Sequence, residues 1–163
     1  MSRSLIALSV FVLMASIVGC QAKKDDMLTL QYPEDQKQIE RIVHEVFEAA
    51  KQKDFDKLES FHLIGPKFTK FDDWEPLSRQ DAETAMKAER EGFSQVSDFN
   101  AQVQDFKADV FGDVAIATFV ASYTMKAGPV QVSARARGTL VFVKDRNTWK
   151  ITHEHFSAFK ANP

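Results

Sequence analysis

The sequence predicts an α+β fold in which helices come first and a bent antiparallel sheet follows. Up to residue 93, apolar residues recur at spacings of three and four, which places them along one side of a helix. From Ser97 onward the pattern becomes extended, and turn-forming residues divide it into four strands. Helices followed by strands with short connections are typical of an α+β domain with an antiparallel sheet.

The first two helices are predicted from apolar stripes. Residues 34–52 form the clearest helix, and residues 54–62 form a second, shorter one. Asp54 suits the N-cap of the second helix, because its carboxylate can accept hydrogen bonds from the free backbone amides of the first turn. The apolar stripe of the first helix consists of Ile39, Ile42, Val43, Val46, Phe47 and Ala50.

A short strand and a third helix are predicted next. Residues 67–71 read as the strand. Ser78, with Asp81 three residues later, resembles a capping box that would open a helix over residues 79–93. This helix is the least apolar of the three, so we expect it to lie on the outside of the domain.

The remaining chain predicts four strands that are longer than usual and must therefore bend. In the first of them, the apolar residues change from one face to the other near Gln104 and Asp105. One extra residue at that point would produce the change, which predicts a β-bulge. The strands are expected at residues 98–111, 114–126, 130–144 and 149–159.

The second of these strands is apolar on both faces, whereas a sheet with one solvated face would alternate. One face must cover the helices, and the other needs a second partner, for which another copy of the chain is the simplest choice. The sequence therefore predicts a homodimer through the sheet. Phe119 or Ala117 is expected to point outward, depending on the register.

The last strand carries the most informative pattern of the chain. Alternation along a strand would place Trp149, Ile151, His153, His155 and Ser157 on one face. This spacing resembles the closing strand of the nuclear transport factor 2-like superfamily, especially its SnoaL-like branch and the association domain of calcium/calmodulin-dependent kinase II. The resemblance implies a cone-shaped, curved antiparallel sheet packed on N-terminal helices, the cystatin-like roll, with a pocket between the two layers. Related domains commonly dimerise through the outer face of the sheet.

The pocket implied by this resemblance would be lined by polar residues of neighbouring strands and by aromatic walls from Phe71, Trp74, Phe93 and Phe99. If Arg137 and the histidines all face inward, a buried guanidinium needs an anionic partner, because an unpaired buried charge is costly. Asp72 and Asp73 are the chain's own candidates, and a bound anion is the alternative. The candidate ligand-binding residues are Trp74, Tyr123, Arg135, Arg137, His153, His155 and Ser157.

Catalysis is the alternative use of such a pocket, with Asp72, Asp73 and His155 as candidate catalytic residues. The resemblance to steroid isomerases of the superfamily implies a catalytic Tyr in the first helix and a catalytic Asp after the early strand. Asp72 or Asp73 falls near the second position, but Val46 stands where the Tyr would be. A dehydratase-like Asp–His pair with His155 as the base is left open.

No cofactor or metal is expected. His153 and His155 could reach one metal ion together with Asp72, but the sequence sets no third ligand. The chain also has no phosphate-cradling glycine loop and no paired-cysteine zinc motif.

The front of the chain predicts export and a lipid anchor. Arg3 followed by an uncharged run to Gly19 reads as a secretory signal over residues 1–19. The segment ending in Cys20 resembles the bacterial lipobox, in which the cysteine becomes the lipidated first residue. Residues 20–32 would then form the lipidated cysteine and a flexible tether, and residues 33–163 the SnoaL-like domain. The absence of Asp after Cys20 resembles an outer-membrane address, facing the periplasm.

Charge and composition exclude other classes. Removal of the signal leaves 20 basic and 23 acidic residues, a net charge of −3, without a basic patch that would suggest nucleic acid. The sequence thus predicts a lipid-anchored protein of the bacterial cell envelope whose domain binds a small molecule or a partner without catalysis. The alternatives are an isomerase, cyclase or hydratase acting on a small hydrophobic substrate, and a structural dimerisation module.

Overall fold

The computed structural model describes residues 29–158; the predicted signal, Cys20 and most of the tether lie outside the described residues. No helix within the described range is long and apolar enough to cross a membrane. The elements in this range are α1 (Pro33–Gln52), α2 (Phe55–Ser60), β1 (Thr69–Phe71), α3 (Ala82–Gln95), β2 (Val96–Phe111), β3 (Val114–Ala127), β4 (Val130–Asp145) and β5 (Thr148–Ala158).

The strands form one five-stranded, unclosed sheet in the order β1-β5-β4-β3-β2. Strands β2 to β5 pair antiparallel with their sequence neighbours, and β1 adds to the edge parallel to β5. The predicted α+β fold, with helices first and a bent sheet afterwards, is confirmed. Each predicted strand and helix is present, with bounds shifted by only a few residues.

The core lies between α1 and the inner face of the sheet, by which we mean the face turned toward α1. Ile39 and Val43 of α1 are fully buried, as are Phe142 and Ile151 of the sheet. Trp149 donates a hydrogen bond from its indole nitrogen to Asp35 Oδ1 at 2.9 Å, which ties the start of α1 to β5. Burial of this apolar face stabilises the domain by about 25 cal/mol per Å² removed from water.

The N-termini of α2 and α3 each have a clear physical cause. Asp54 caps α2 as predicted, accepting from the Lys57 amide at 3.1 Å. Helix α3 begins later than expected, because Gln80 exchanges backbone hydrogen bonds with Lys70 and is held extended. Asp81, rather than Ser78, is therefore the N-cap, and it accepts from the Thr84 amide at 2.9 Å.

The predicted outer position of α3 is only half right. Its exposed side faces solvent, but the stripe of Ala82, Ala85 and Glu89 is buried against the rest of the domain. This stripe is short and includes a charged residue, which explains why the helix reads as the least apolar of the three.

The β-bulge predicted in the first long strand is confirmed. The pairing of β2 with β3 slips between Gln104 and Lys107, and Asp105 takes a left-handed conformation with φ of 50°. A second slip lies between Ser97 and Asn100. Bulges increase local twist and bend a strand, so the long β2 curves around the helices instead of running flat.

A further bulge in β5 contradicts the predicted facing of the last strand. His153 pairs with Val141, but Ile151 pairs with the next residue of β4, so Thr152 is the extra residue. Before it, Ile151 exchanges backbone hydrogen bonds with Phe61 and Leu63; after it, β5 pairs with β1. The strand shifts register where it changes neighbours, and every side chain beyond Thr152 is turned to the other face.

Candidate ligand-binding pocket

A cavity of about 590 Å³, including its open mouth, lies between α1, α3, the loop after β1 and the inner face of the sheet. One side is apolar, with contributions from Phe47 of α1 and Ala121 and Ala136 of the sheet. The other side is polar and carries side chains from β1, the following loop, α3 and β5. These polar lining residues are Lys70, Asp72, Asp73, Glu89 and Glu154.

Aromatic rings form a continuous row along the apolar side. Trp74, 37% exposed, stands edge-on to Phe93 with ring centroids 6.2 Å apart. Phe93 lies 5.1 Å from Phe99, and Phe99 lies 6.3 Å from Tyr123. The row runs from the partly exposed Trp74 to the sheet, and offset or edge-to-face contacts of this kind stabilise it.

Lys70 is the centre of the polar side. It projects from β1, its side chain is 4% exposed, and its Nζ lies 2.5 Å from Glu89 Oε1, 3.0 Å from Glu154 Oε2 and 3.2 Å from Asp72 Oδ2. Burial by itself lowers the pKa of Lys70, but the charges of Glu154, Glu89 and Asp72 outweigh it and hold that pKa well above its ordinary value. The ammonium is therefore permanently charged and fully paired.

His62 extends the network to the end of α2. Its Nδ1 lies 2.9 Å from the Leu58 carbonyl and its Nε2 lies 2.9 Å from Glu154 Oε1. Both partners are acceptors, so both ring nitrogens donate and the imidazole is a cation. Burial lowers the pKa of His62, but the charge of Glu154 outweighs it and the net shift is upward.

Glu154 is ionised between these two cations. Burial raises the pKa of Glu154, but Lys70 and His62 outweigh it and hold that pKa far below its ordinary value. A buried charge of this kind is tolerated only with good geometry on every side. The three residues thus form a rigid, ionised floor beneath the cavity.

Asp72 and Asp73 lie at the edge of this floor and differ in how their carboxylate oxygens are hydrogen-bonded. Asp72 is fully engaged, because one oxygen accepts from the Asp73 amide at 2.9 Å and the other faces Lys70. The Oδ2 atom of Asp73 is buried and makes no hydrogen bond with any residue between 29 and 158. Burial, followed by the neighbouring Asp72 carboxyl, raises the pKa of Asp73.

Tyr123 lines the same part of the cavity from β3. Burial, and then the charges of Asp73 and Asp72, raise the pKa of Tyr123 to about 12. The phenol therefore keeps its proton at neutral pH, and hydrogen bonding with the Asp73 carboxyl also contributes to the raised pKa of Tyr123. A protonated phenol close to a carboxyl of raised pKa is an arrangement found where proton transfer or selective binding takes place.

Four of the predicted site residues meet in this cavity: Asp72, Asp73, Trp74 and Tyr123. The others lie on the outer face of the sheet, which points away from α1. His153 is hydrogen-bonded through Nδ1 to the Thr69 hydroxyl at 2.8 Å. The residues placed on that outer face are Arg135, Arg137, His153, His155 and Ser157.

The expected buried guanidinium near two imidazoles is therefore wrong. Arg137 is exposed and pairs in register with Ser157 on the outer face, away from Asp72 and Asp73. Phe71, expected in the pocket wall, also lies outside, with its ring near His153 and His155. The bulge at Thr152 is the cause, since β1 follows β5 in register.

The sequence interpretation missed Lys70, Glu89, Glu154 and His62. One of them had a detectable signal: Glu89 follows Ala82 and Ala85 at helical spacing and so shares their buried stripe. Glu154 stands between the two histidines that were taken to face inward, so only the bulge reveals its position. Lys70 lies on a three-residue strand, too short for a pattern.

Ligand atoms of His62, Glu89 and Glu154 lie within 4.8 Å of one another, close enough for a metal site. The Lys70 ammonium, however, is paired with both carboxylates. A divalent cation would have to displace a charged amine that has three anionic partners. The arrangement is that of an internal ion cluster in which Lys70 supplies the positive charge.

A curved, unclosed sheet over N-terminal helices, with a cavity between them, defines a nuclear transport factor 2-like domain. Within this class, the SnoaL-like domain family matches residues 39–161, and the chain belongs to that family. The resemblance predicted from the last strand is confirmed. A comparison with curated protein sequences finds no match.

Solved structures agree with this assignment. A nuclear transport factor 2-like protein of Streptomyces avermitilis, provisionally named a dehydratase, is 19% identical with a TM-score of 0.71, covering 80% of this chain and 100% of that one. A Novosphingobium aromaticivorans protein provisionally named an aromatic ring hydroxylase is 14% identical, with a TM-score of 0.72 and coverage of 81% and 94%. A Xanthomonas campestris protein, provisionally named a calcium/calmodulin-dependent kinase II association domain, is 15% identical, with a TM-score of 0.65 and coverage of 80% and 93%. At these identities the likeness concerns the fold alone.

Proposed function

We propose that this protein binds a small, largely apolar molecule in the cavity without transforming it, and that it does so at the bacterial cell envelope. The observation that carries the proposal is a row of packed aromatic rings beside a buried carboxylate oxygen, Asp73 Oδ2, that makes no hydrogen bond within residues 29–158. Trp74, Phe93, Phe99 and Tyr123 supply apolar contact, and Asp73 supplies the polar one. Mostly apolar cavities with few convergent polar groups are typical ligand sites.

Two features favour binding over catalysis. The Asp–His pair that a dehydratase-like mechanism would use is not assembled, because His155 lies on the other face of the sheet. Lys70 cannot act as a nucleophile, since an amine nucleophile needs a lowered pKa and that of Lys70 is raised. The ion cluster is thus suited to hold the loop with Asp72 and Asp73 in place.

Cavity filling tests the binding function. Ala121 is 1% exposed and lines the cavity, so Ala121→Phe should occupy the space a ligand needs. In ligand-observed NMR with neutral aromatic fragments such as indole and 2-naphthol, the wild-type protein should bind and Ala121→Phe should not. Ala127→Phe, at the exposed end of the same strand, is the matched control. Equal binding to wild type and Ala121→Phe, or no binding to either, would refute the proposal.

A second candidate, acid–base catalysis on a small hydrophobic substrate, is favoured by one observation. Asp73 and Tyr123 both have raised pKa values and line the same cavity. Asp73 would abstract a proton and Tyr123 would donate a hydrogen bond to the developing oxyanion, the role that Val46 cannot fill. The test is to identify by mass spectrometry any small molecule that co-purifies with the protein. An isomerase, cyclase or hydratase would convert that molecule, and Asp73→Asn would abolish the conversion.

The outer face of the sheet supports the proposal of a homodimer. Val114 and Ile116 of β3 are 41% and 39% exposed, and Phe71 of β1 is 39% exposed on the same face. Phe119 and Ala117, the residues first expected there, are buried inside at 4% and 0%. Val114 and Ile116 pair with Val143 and Val141 of β4, and an exposed apolar patch of this kind is suited to a self-complementary contact.

The anchor remains a proposal that rests on the sequence. Cys20 would carry the acyl chains that attach the domain to the membrane, and the absence of Asp directly after it favours the outer membrane. Residues 21–32 would separate the lipid from α1, which begins at Pro33. A tether of that length spans at most about 40 Å when fully extended, so the domain would work close to the membrane surface.

A further inference from the structure

The charges around the cavity do not balance. Two cations, Lys70 and His62, face a larger set of carboxylates. The described lining and floor offer no further cationic side chain. The four carboxylates are those of Asp72, Asp73, Glu89 and Glu154.

The excess negative charge has a definite location. Glu154 is shared between His62 and Lys70, and both oxygens of Asp72 are engaged by Lys70 and the Asp73 amide. Within residues 29–158, the buried oxygens without a hydrogen bond include Asp73 Oδ2 and Glu89 Oε2. Each is an acceptor when ionised, and an acceptor without a donor in an apolar cavity is costly.

The aromatic row stands beside these acceptors. Trp74, Phe99 and Tyr123 present ring faces and edges to the same cavity as Asp73. Aromatic rings attract a cationic group placed over their faces, most strongly when water is excluded. Such walls also bury an apolar body, so one ligand could satisfy both sides of the cavity.

We propose that the cavity selects organic amines: molecules with one ammonium group, received by Asp73, on a compact apolar or aromatic body. This inference rests on the binding function proposed above and specifies its ligand class. An ammonium offers hydrogen-bond donors to Asp73 and offsets the excess charge, whereas an alcohol offers a donor only. A carboxylate ligand is disfavoured, because it would add a further negative charge beside Asp73 and Glu89.

A matched series of probes separates these possibilities. We would measure the dissociation constants of 2-naphthylmethylamine, 2-naphthylmethanol and 2-naphthoate by calorimetry at constant ionic strength. The amine should bind about tenfold more tightly than the alcohol, the size expected for one charge-assisted hydrogen bond. The carboxylate should bind most weakly. In Asp73→Asn the advantage of the amine over the alcohol should disappear, because the charged acceptor is lost.

Glu75→Gln is the control, since it removes one negative charge from the same loop at an exposed position outside the cavity. It should keep the full preference for the amine. Equal affinities of wild type for amine and alcohol would overturn the amine inference but leave the binding function intact, as would a preference for naphthoate. An amine preference that survives in Asp73→Asn would also overturn it. If none of the three probes binds, both the inference and the proposed binding function fail.

Discussion

The position of Asp73 in the cavity lowers the stability of the folded protein when its carboxyl is ionised. Its pKa is raised from 3.8, chiefly by burial, so the folded protein holds this proton more tightly than the unfolded chain does. Ionisation of Asp73 therefore destabilises the folded state relative to the unfolded chain. The effect is absent well below pH 3.8 and grows as the pH rises from 3.8 through the pKa of the folded state. A carboxylate retained at such a cost is consistent with a role in function.

Asp73→Asn should accordingly raise the melting temperature at pH 7 and leave it nearly unchanged at pH 3.5. Thermal unfolding followed by circular dichroism at both pH values would measure the difference. Glu75→Gln, which changes the net charge equally, should have no comparable effect. Equal stability of Asp73→Asn and wild type at pH 7 would contradict the assignment of Asp73 as a strained acceptor.

Gly138 is needed for a steric reason on the inner face. It pairs with Phe119 across β3 and β4, and a Cβ added to Gly138 would lie 2.5 Å from two carbons of the Phe119 ring. That ring is buried between Phe47 and Phe156, with centroids 6.0 and 6.1 Å away, so it has little room to move.

Gly138→Ala should therefore lower the free energy of unfolding by roughly 1–3 kcal/mol, the usual effect of overpacking. Urea denaturation would measure it. Phe119→Leu in the Gly138→Ala background should recover part of the loss, because the smaller side chain makes room for the methyl group. Strictly additive losses in the double variant would show that the two residues do not compete for space.

At the scale of elements, Lys70 joins parts of the fold that are otherwise only loosely connected. It links β1 to β5 through Glu154, to α3 through Glu89 and to the following loop through Asp72. The strand β1 has only three residues, so backbone pairing contributes little to its position. The ion cluster keeps this edge of the sheet, and with it the wall of the cavity, in place.

Lys70→Met should be strongly destabilising, by about 3–5 kcal/mol, because it leaves buried carboxylates without their counter-ion. Chemical denaturation at pH 7 is the measurement. Lys67→Met, at an exposed position nearby, should cost far less. Adding Glu154→Gln to Lys70→Met should restore part of the stability. A loss below about 1 kcal/mol for Lys70→Met would mean that the cluster is not a structural tie.

At the scale of the whole molecule, the outer sheet face predicts assembly. Ile116→Asp places a charge in the exposed apolar patch around Val114 and Ile116 and should convert dimers to monomers while leaving the monomer folded. Analytical ultracentrifugation at micromolar concentration would detect the change. Leu77→Asp, an exposed apolar residue away from the sheet face, should remain dimeric. A wild-type protein that sediments as a monomer would remove the proposal.

The anchor makes an independent prediction about location. Cys20→Ser should abolish membrane association, because no acyl chains can be attached without the thiol, and stable anchoring needs more than one chain. Fractionation of cells and the mass of the processed protein would test this. Residues 21–163 behind an ordinary secretory signal should still fold. Correctly cleaved wild-type protein without added acyl mass would contradict the lipobox interpretation.

The sequence by itself determined the order of elements and much of their local detail. The stripe of α1, the Asp54 cap and the bulge near Asp105 are each encoded by residues only a few positions apart. Such short-range signals are legible because helix period, capping chemistry and strand alternation depend on immediate neighbours. The family resemblance came instead from the spacing of Trp149, His153, His155 and Ser157. It implied the pocket in which Asp72, Asp73, Trp74 and Tyr123 lie.

Only the tertiary structure decided which face of β5 meets the cavity. The bulge at Thr152 arises where β5 changes pairing partners, and the Thr152 hydroxyl donates to the Lys67 carbonyl, 85 positions away in the chain. No local pattern encodes that exchange, and a slip of one residue inverts a whole strand. It moved His153 and His155 outward and brought Glu154 inward against Lys70, so the polar floor of the cavity could be recognised only in the folded chain.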